Sequence, residues 1–120
     1  MNFRVVEKTG RTYVELLAGS FLSSEQSAVE LVGLCGGAGT RLLMLHEENL
    51  CSDFFDLRTG LAGEALLKWS NYHIRAAAVV SANRIGCGKF YEFVLETNRG
   101  RQFYVASDRE SAEQWLLDGQ

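Results

Sequence analysis

Two unbroken apolar runs restrict the fold of this chain more than any other feature of its sequence. The first is the leucine and methionine run 42–45 inside the segment 41–46, and the second lies in 74–80, which is wholly apolar after Arg75. A strand with one face in water alternates apolar and polar residues, whereas a strand covered on both faces of a parallel sheet is apolar almost throughout. Both runs therefore predict central strands of a parallel sheet, which indicates an α/β fold.

The segments on either side of these runs predict a β-hairpin, a further short strand at 102–106 and four helices. The hairpin strands, 3–7 and 12–17, are rich in β-branched and aromatic residues, and Gly10 suits the positive φ of their turn. Apolar residues recur at helical spacing in four stretches: 23–37, 57–69, 89–98 and from 107 towards the C-terminus. The predicted fold is a β-hairpin followed by four βα units, β-β-α-β-α-β-α-β-α, in a mostly parallel sheet whose first strand alone is antiparallel.

Capping motifs and glycines predict where the helices begin and end. Two helix starts have the spacing of a capping box: Ser23 with Gln26, and Ser107 with Glu110. Gly36 and Gly37 are expected at the end of the first helix, and Gly100 is expected in the left-handed conformation after the third. Gly60 and Gly63 fall inside the second predicted helix, where each costs about 1 kcal/mol relative to alanine. We therefore expect close packing or a bound group beside them.

Length, charge and cysteine content exclude several classes of protein. A chain of 120 residues, 47% of them apolar, predicts one domain with a single core. A net charge of −3 argues against a nucleic-acid binder or a polybasic membrane anchor. Without a membrane-length apolar run or a signal-peptide pattern, we expect a cytoplasmic protein. Three cysteines without Cys-x-x-Cys spacing indicate free thiols, and no motif indicates a cofactor.

A functional site is expected at one edge of the sheet. In open α/β sheets ligands bind beyond the carboxyl ends of the strands, which selects 46–56, 81–89 and 107–108. The densest polar stretch is 46–56, with four carboxylates, one histidine and no cation. Six of its residues are candidate binding residues: His46, Glu47, Glu48, Asn49, Asp53 and Asp56.

Two interpretations of this acidic loop stay open. Carboxylates beside a histidine could hold a divalent metal, or could raise one another's pKa so that one of them acts as a general acid or base. Alternatively, Glu47 and Glu48 are solvated, and Asp53 or Asp56 caps the next helix. We favour the second interpretation. No Ser-His-Asp order can be argued, because His73 is expected at the opposite end of a strand.

Two further groups of residues suggest anion binding. Arg58, Thr59 and Gly60 open the second predicted helix, whose free N–H groups could hold an anion or a phosphorylated side chain. A capping role for the Thr59 hydroxyl is the alternative. After the third helix, Asn98 precedes Arg99 and Arg101, which flank Gly100. With Lys89 of the same helix these two arginines could form an anion patch, whereas a solvated helix end is the simpler interpretation.

Four segments of the chain carry a family resemblance: 46–50 (HEENL), 53–64 (DFFDLRTGLAGE), 98–100 (NRG) and 115–116 (WL). Together they look like an uncharacterised bacterial domain-of-unknown-function family, numbered 4180. The resemblance implies a small bacterial cytoplasmic protein and no established activity.

The order of elements also resembles the STAS (SpoIIAA-like) fold of anti-sigma-factor antagonists, in which a hairpin precedes four βα units. In that family the loop between the third strand and the second helix carries a phosphorylatable serine or threonine in an Asp-Ser-Ser-Gly-like motif. Here the segment 56–60 stands at this position, with Thr59 as the nearest equivalent. Arg58 and the longer acidic loop differ from the STAS pattern.

These observations lead to two hypotheses of function. The first is a non-catalytic protein-interaction or ligand-binding regulatory module of STAS-like fold, with Thr59 as a candidate switch. Its target would be a protein partner or a small ligand rather than nucleic acid or a membrane. The alternative is a small enzyme or divalent-metal-binding protein that uses the acidic loop 46–56. The opening hairpin offers an edge for a homodimer, unless Arg4, Lys8 and Arg11 protect that edge.

Overall fold

A computed structural model of the chain describes residues 1–118. Its strands are β1 (Phe3–Lys8), β2 (Arg11–Leu16), β3 (Leu42–His46), β4 (Arg75–Val79) and β5 (Phe103–Ala106). Its α-helices are α1 (Glu25–Gly37), α2 (Ser52–Phe55), α3 (Leu61–Asn71), α4 (Ala82–Ile85), α5 (Lys89–Thr97) and α6 (Arg109–Asp118). Two 3-10 helices cover Glu47–Asn49 and Leu57–Thr59.

The five strands form one sheet in the order β1-β2-β3-β4-β5. Strand β1 is antiparallel to β2, and the other neighbours are parallel, which confirms the predicted α/β fold with an initial hairpin. Strands β2 to β5 are added in one direction, and right-handed crossovers then place α1, α3 and α5 on the same face of the sheet. Helix α6 follows the last strand and covers the opposite face.

The two central strands show why their apolar runs are unbroken. In β3, Leu43 and Leu45 lie in the main core under the crossover helices, while Leu42 and Met44 lie in the smaller core under α6. Strand β4 repeats the pattern, with Ala77 on the α6 side. Because both faces of these strands are buried, polar residues occur only at their ends, His46 in β3 and Arg75 in β4.

The hairpin turns where the sequence predicts. Thr9 and Gly10 both have a positive φ, of 53° and 79°, and the glycine at the second position adopts this conformation without strain from a Cβ atom. The resulting register pairs Arg4 with Glu15. This pairing places two oppositely charged side chains on the α6 face.

Both predicted capping boxes are wrong by one residue. Ser24 rather than Ser23 is the N-cap of α1, and its hydroxyl accepts a backbone N–H of the first turn. Asp108 rather than Ser107 accepts a backbone N–H of the first turn of α6 at 2.7 Å. Each start offers two adjacent residues with capping side chains, so local sequence does not distinguish between them.

One of the two helix ends predicted from glycines is confirmed. Helix α1 ends at Gly37, as expected, and Gly39 beyond it has a left-handed φ of 72°. The other prediction is wrong, since Gly100 does not have a positive φ and the C-cap of α5, Asn98, is right-handed.

The segment predicted as one helix at 57–69 is divided. Gly60 has a φ of 81° and separates a 3-10 helix from α3. Gly63 lies on the exposed side of α3, with nothing within 4 Å of the position of a Cβ atom. The same holds for Gly60, so close packing at these two glycines is wrong, and a bound group beside them stays a prediction. The segment 47–56, which the sequence predicts as a loop, contains a 3-10 helix and α2.

Candidate functional site

The carboxyl ends of β3, β4 and β5 meet at an open cleft of about 410 Å³. It is lined by His46, Glu47, Glu48, Val79, Ser81 and Ser107. The structure thus brings together residues that follow three neighbouring strands, as expected where parallel strands end at one edge of a sheet. We call this the carboxyl-end cleft.

The acidic residues of the cleft have different roles. Glu47 Oε1 accepts the Ser81 N–H at 2.9 Å and so joins the segments that follow β3 and β4. Glu48 is exposed in the cleft wall. Asn49 is fully buried; its side chain accepts the His46 N–H at 2.7 Å and donates to two carbonyls of the segment after β2. Asn49 therefore shapes the cleft rather than lining it.

Behind His46 lies a polar network on the α6 face of the sheet. The Glu15 network comprises seven residues: Arg4, Lys8, Tyr13, Glu15, His46, Arg109 and Glu113. Glu15, at its centre, is only 3% exposed. Arg109 donates to both of its oxygens, at 2.9 and 3.0 Å, Arg4 Nε donates at 2.9 Å, and His46 Nε2 lies 2.6 Å away.

A second buried carboxylate, Glu113, completes the network. It accepts the Tyr13 hydroxyl at 2.6 Å and the Lys8 ammonium at 2.8 Å. Arg109 Nη2 donates to the Tyr13 oxygen at 2.7 Å and so connects the two carboxylates. Since its members belong to β1, β2, β3 and α6, the network holds the last helix against the first half of the sheet.

The surroundings of the two carboxylates keep both of them ionised. Burial by itself raises the pKa of Glu15, but the hydrogen bonds from Arg109 and its other partners outweigh burial and lower that pKa to about 2. Hydrogen bonds from Lys8 and Tyr13 lower the pKa of Glu113. Burial, together with the bond to Glu113, raises the pKa of Tyr13, so the phenol keeps its proton at neutral pH.

This geometry is unsuited to acid–base or nucleophilic chemistry at the network. A general base needs a free acceptor atom and a pKa near the working pH, whereas the oxygens of Glu15 are occupied by donors. Among residues 1–118, no hydroxyl or thiol hydrogen-bonds to His46, so no nucleophile is paired with this ring. Ser81, in the same cleft, is the N-cap of α4. The network therefore positions His46 in the cleft wall.

Five of the predicted site residues form a separate surface turn: Asp53, Asp56, Arg58, Thr59 and Gly60. Asp56 caps the 3-10 helix by accepting the Arg58 N–H at 3.1 Å, and its carboxylate pairs with the Arg58 guanidinium at 3.0 Å. The Thr59 hydroxyl donates to the Asp53 carbonyl at 2.6 Å and accepts the first N–H of α3 at 3.3 Å. These side chains therefore stabilise the turn itself.

The remaining candidates, Asn98 and Arg99, do not act as a pair. The Asn98 side chain bonds both backbone groups of Val105, at 2.8 and 3.0 Å, and so attaches the end of α5 to β5. Arg99 is exposed and lies 3.8 Å from Glu96. The structure thus gives Asn98 a structural role and leaves Arg99 as a surface charge.

The structure does not assemble the metal ligands considered for the acidic loop. In the part of the chain that is described, no three His, Cys, Asp or Glu side chains are grouped so that they could hold a metal ion. His46 is bonded to Glu15, and Asp56 is paired with Arg58. The metal-binding alternative therefore has no support from this geometry.

Comparison with known families places the chain in one of them. Residues 8–116 match the family described as Domain of unknown function (DUF4180). The chain belongs to this family. Neither the curated proteins nor the solved structures contain a match to this DUF4180 protein.

Within residues 1–118, no helix combines the length and the apolar character needed to cross a membrane.

Sequence reasoning missed most of the Glu15 network of this DUF4180 protein, although two patterns pointed to it. The predicted hairpin turn already pairs Arg4 with Glu15 across the two strands. Arg109 and Glu113 are four residues apart, which places them on one face of a helix. What the sequence did not indicate is that this helix lies on the same face of the sheet as Glu15.

Proposed function

We propose that this DUF4180 protein is a non-catalytic regulatory module of STAS-like fold that acts in the bacterial cytoplasm and binds a protein partner or a small ligand at the carboxyl-end cleft. The Glu15 network carries this proposal. It fixes the His46 ring in the cleft wall, while its own carboxylates are fully paired. A cleft backed by a network whose buried carboxylates are all paired suits recognition better than turnover.

The charge of the cleft indicates what it would recognise. Glu48 is exposed, and its carboxylate has no hydrogen bond or ion pair within residues 1–118, so it is available to a cation. Ser107 is also exposed and adds a hydroxyl. A lysine or arginine side chain of a partner, or the ammonium group of a small ligand, is the complementary chemistry.

Thr59 supports a regulatory role for the neighbouring turn. It is exposed, and its hydroxyl donates to the Asp53 carbonyl. A phosphate on Thr59 would remove this donor and add close to two negative charges beside Asp53 and Asp56, with Arg58 as the nearest cation of the turn. Phosphorylation would therefore reorganise the turn that precedes α3.

A charge reversal in the cleft tests the binding surface. Partners captured by the wild-type protein are purified and titrated against wild type, Glu48→Arg and a matched control, Glu92→Arg, whose side chain is exposed on α5. We expect Glu48→Arg to weaken binding at least about tenfold and Glu92→Arg to leave it unchanged. Equal affinities for all three proteins, measured by calorimetry, would contradict the proposed surface.

The switch requires a separate comparison of wild type, Thr59→Ala and Thr59→Glu against the same purified partner. If Thr59 controls binding, the two variants differ in their affinity for the partner. This difference must remain after each affinity is corrected for the fraction of folded protein. Identical affinities for the three proteins would remove the switch and leave the binding surface in place.

A further inference from the structure

The sheet has two edge strands, β1 and β5, and side chains cover the outer side of β5. Asn98 bonds both backbone groups of Val105, at 2.8 and 3.0 Å. The Thr97 hydroxyl donates to the Phe103 carbonyl at 3.0 Å. An edge strand with unpaired backbone groups is a template for a further strand, and natural proteins usually cover such an edge. Strand β5 is therefore closed to strand addition.

The outer side of β1 has no such cover within residues 1–118. The Leu17 N–H donates to the Asn2 carbonyl at 2.9 Å and so extends the ladder between β1 and β2. Because antiparallel ladder bonds alternate along a strand, the even-numbered residues of β1 bond β2. Phe3, Val5 and Glu7 therefore direct their N–H and C=O groups outward, and no described side chain bonds these groups.

The features that usually protect an edge strand are also missing from β1. It pairs with β2 residue by residue, so it has no bulge, and the chain has no proline. Its two cations are bound on the α6 face, Arg4 to Glu15 and Lys8 to Glu113, both at 2.8 Å. Arg11, the third cation considered from the sequence, belongs to the inner strand β2. These charges therefore leave the edge open.

The other face of β1 exposes apolar side chains. Phe3 and Val5 are 37% and 50% exposed. Val5 lies opposite Val14 in the hairpin, and Val14 is fully buried in the main core. Since alternate residues of a strand point to opposite faces, Phe3 and Val5 lie on this same face beyond the end of the core. A strand added beside β1 would bring its own side chains against them.

The sequence of β1 is complementary to a second copy of itself. Two identical strands that pair antiparallel are related by a twofold axis perpendicular to the sheet, so residues on the same face lie opposite one another. With Val5 of one copy opposite Val5 of the other, Phe3 lies opposite Glu7, and the outward groups of all three residues find partners. Arg4 then lies opposite Val6, so no like charges are directly opposed.

Charge disfavours the two neighbouring registers. A shift of two residues in one direction places Arg4 of one copy opposite Arg4 of the other, and the opposite shift places Arg4 opposite Lys8. Each shift also leaves the outward groups of one residue of β1 without a partner in the other strand. The hydrogen-bond pattern and the charges thus select one register of self-pairing, which favours a second copy over an unrelated strand.

We propose that this DUF4180 protein forms a homodimer in which the β1 strands of two copies pair antiparallel about Val5 and join two sheets into one. Because the twofold axis is perpendicular to the joined sheet, the parallel strands of the two copies run in opposite directions. The two carboxyl-end clefts then lie at opposite ends of the joined sheet. The dimer therefore presents two separate clefts, and its formation does not depend on what a cleft binds.

The concentration dependence of the oligomeric state is the first test. Each copy contributes one strand and few apolar side chains, so the interface is small, and we expect a Kd of roughly 10–100 μM. Sedimentation velocity of the full chain from about 1 μM to about 1 mM should show monomer converting to dimer. A protein that stays monomeric at about 1 mM would overturn the proposal.

Amide hydrogen exchange at the same concentrations locates the interface. The N–H groups of Phe3, Val5 and Glu7 should become protected as the dimer forms, because only self-pairing gives them acceptors. A dimer in which these three amides stay unprotected would overturn the proposal. Protection that appears only when a different protein is bound would assign the edge to that protein and would also overturn self-pairing.

A charge at Val5 tests the register. Val5→Lys places two like charges opposite one another at the centre of the dimer, and Val29→Lys, at a 41% exposed position of α1, is the matched control. We expect Val5→Lys to raise the Kd of dimerisation at least about tenfold and Val29→Lys to leave it unchanged. Circular dichroism checks that both variants are folded. An unchanged Kd in Val5→Lys would overturn the proposal.

A mixture of Val5→Lys and Val5→Glu separates the pairing of two copies from other effects of these substitutions. Each variant alone opposes like charges, whereas a pair of one of each opposes unlike charges. We therefore expect the mixture to dimerise more tightly than either variant alone, by about tenfold. A mixture that associates no more tightly than its components would overturn the proposed pairing about Val5.

Discussion

Glu15 shows how one buried residue can determine the chemistry of its surroundings. It lies in β2 between two core residues of the other face and is charged, although its side chain is almost fully buried. Charged groups are rarely buried unless they are paired, and Glu15 is paired with Arg4, His46 and Arg109. Glu15 therefore holds the residues behind the carboxyl-end cleft in place.

The first prediction concerns the charge of Glu15. Glu15→Gln keeps the shape of the side chain but leaves Arg4 and Arg109 without their anion, so we expect a loss of about 3 kcal/mol in the free energy of unfolding. Urea denaturation measures it. Glu110→Gln, at an exposed position of α6, should change stability by less than about 0.5 kcal/mol. Equal effects of the two substitutions would show that the network contributes little.

At the scale of elements, the segment before α3 shows how two glycines of similar sequence context differ. Gly60 has a φ of 81° and ends a 3-10 helix, whereas Gly63 is an exposed residue of regular α-helix. The Asp56 cap and the Thr59 hydroxyl hold the turn that separates them from α2. The left-handed residue is required by this turn and not by packing against the sheet.

The second prediction follows from this difference and has opposite signs at the two positions. Gly60→Ala should destabilise the protein by about 1 kcal/mol, because a Cβ atom strains a left-handed residue. Gly63→Ala should stabilise it by up to about 1 kcal/mol, because alanine favours the helix and its methyl group meets open space. Thermal unfolding of both variants is the measurement. The same sign of change at both positions would contradict this structure of the turn.

At the scale of the whole molecule, the two faces of the sheet are covered unequally. Three crossover helices bury one face, while α6 covers the central strands of the other. The smaller core under α6 contains Leu116, which is fully buried, and the Glu15 network binds the same helix to β1 and β2. The stability of the second face therefore depends on a single helix.

The third prediction tests this dependence on α6. Leu116→Ala should lower the free energy of unfolding by about 3 kcal/mol, since it leaves a cavity in the smaller core that no other helix can fill. Leu67→Ala, at a position of α3 that is 61% exposed, serves as the control and should cost less than about 0.5 kcal/mol. Denaturation curves of the two variants decide the matter. A small loss for Leu116→Ala would mean that α6 is not essential to this face.

The fourth prediction concerns acid stability. The pKa of Glu15 is lowered from 4.5 to about 2 on folding, so its ionised form stabilises the folded state above pH 4.5 and this contribution is lost as the pH falls towards 2. We expect the free energy of unfolding of wild type to exceed that of Glu15→Gln by about 3 kcal/mol near neutral pH. Near about pH 3 the difference should be less than half as large. Denaturation at both pH values measures the difference. A difference independent of pH would show that ionisation of Glu15 does not contribute.

Sequence patterns alone predict the α/β class, the hairpin and the two central strands. These depend on periodicity and on residues such as Gly10, whose conformational preference is local. The sequence also located the edge where the strands end, because parallel strands with right-handed crossovers allow few other topologies. It could not decide between adjacent capping residues such as Ser23 and Ser24, which have equal intrinsic preference.

Which charges act together depends on contacts between elements that are distant in the chain. Glu15 and Arg109 are far apart in the chain and meet because α6 returns across the face of the sheet that holds Glu15. Periodicity reports which face of its own element a residue occupies, but not which other element will cover that face. Ion pairing and cleft formation depend on that second fact, and it is set by the packing of the whole molecule.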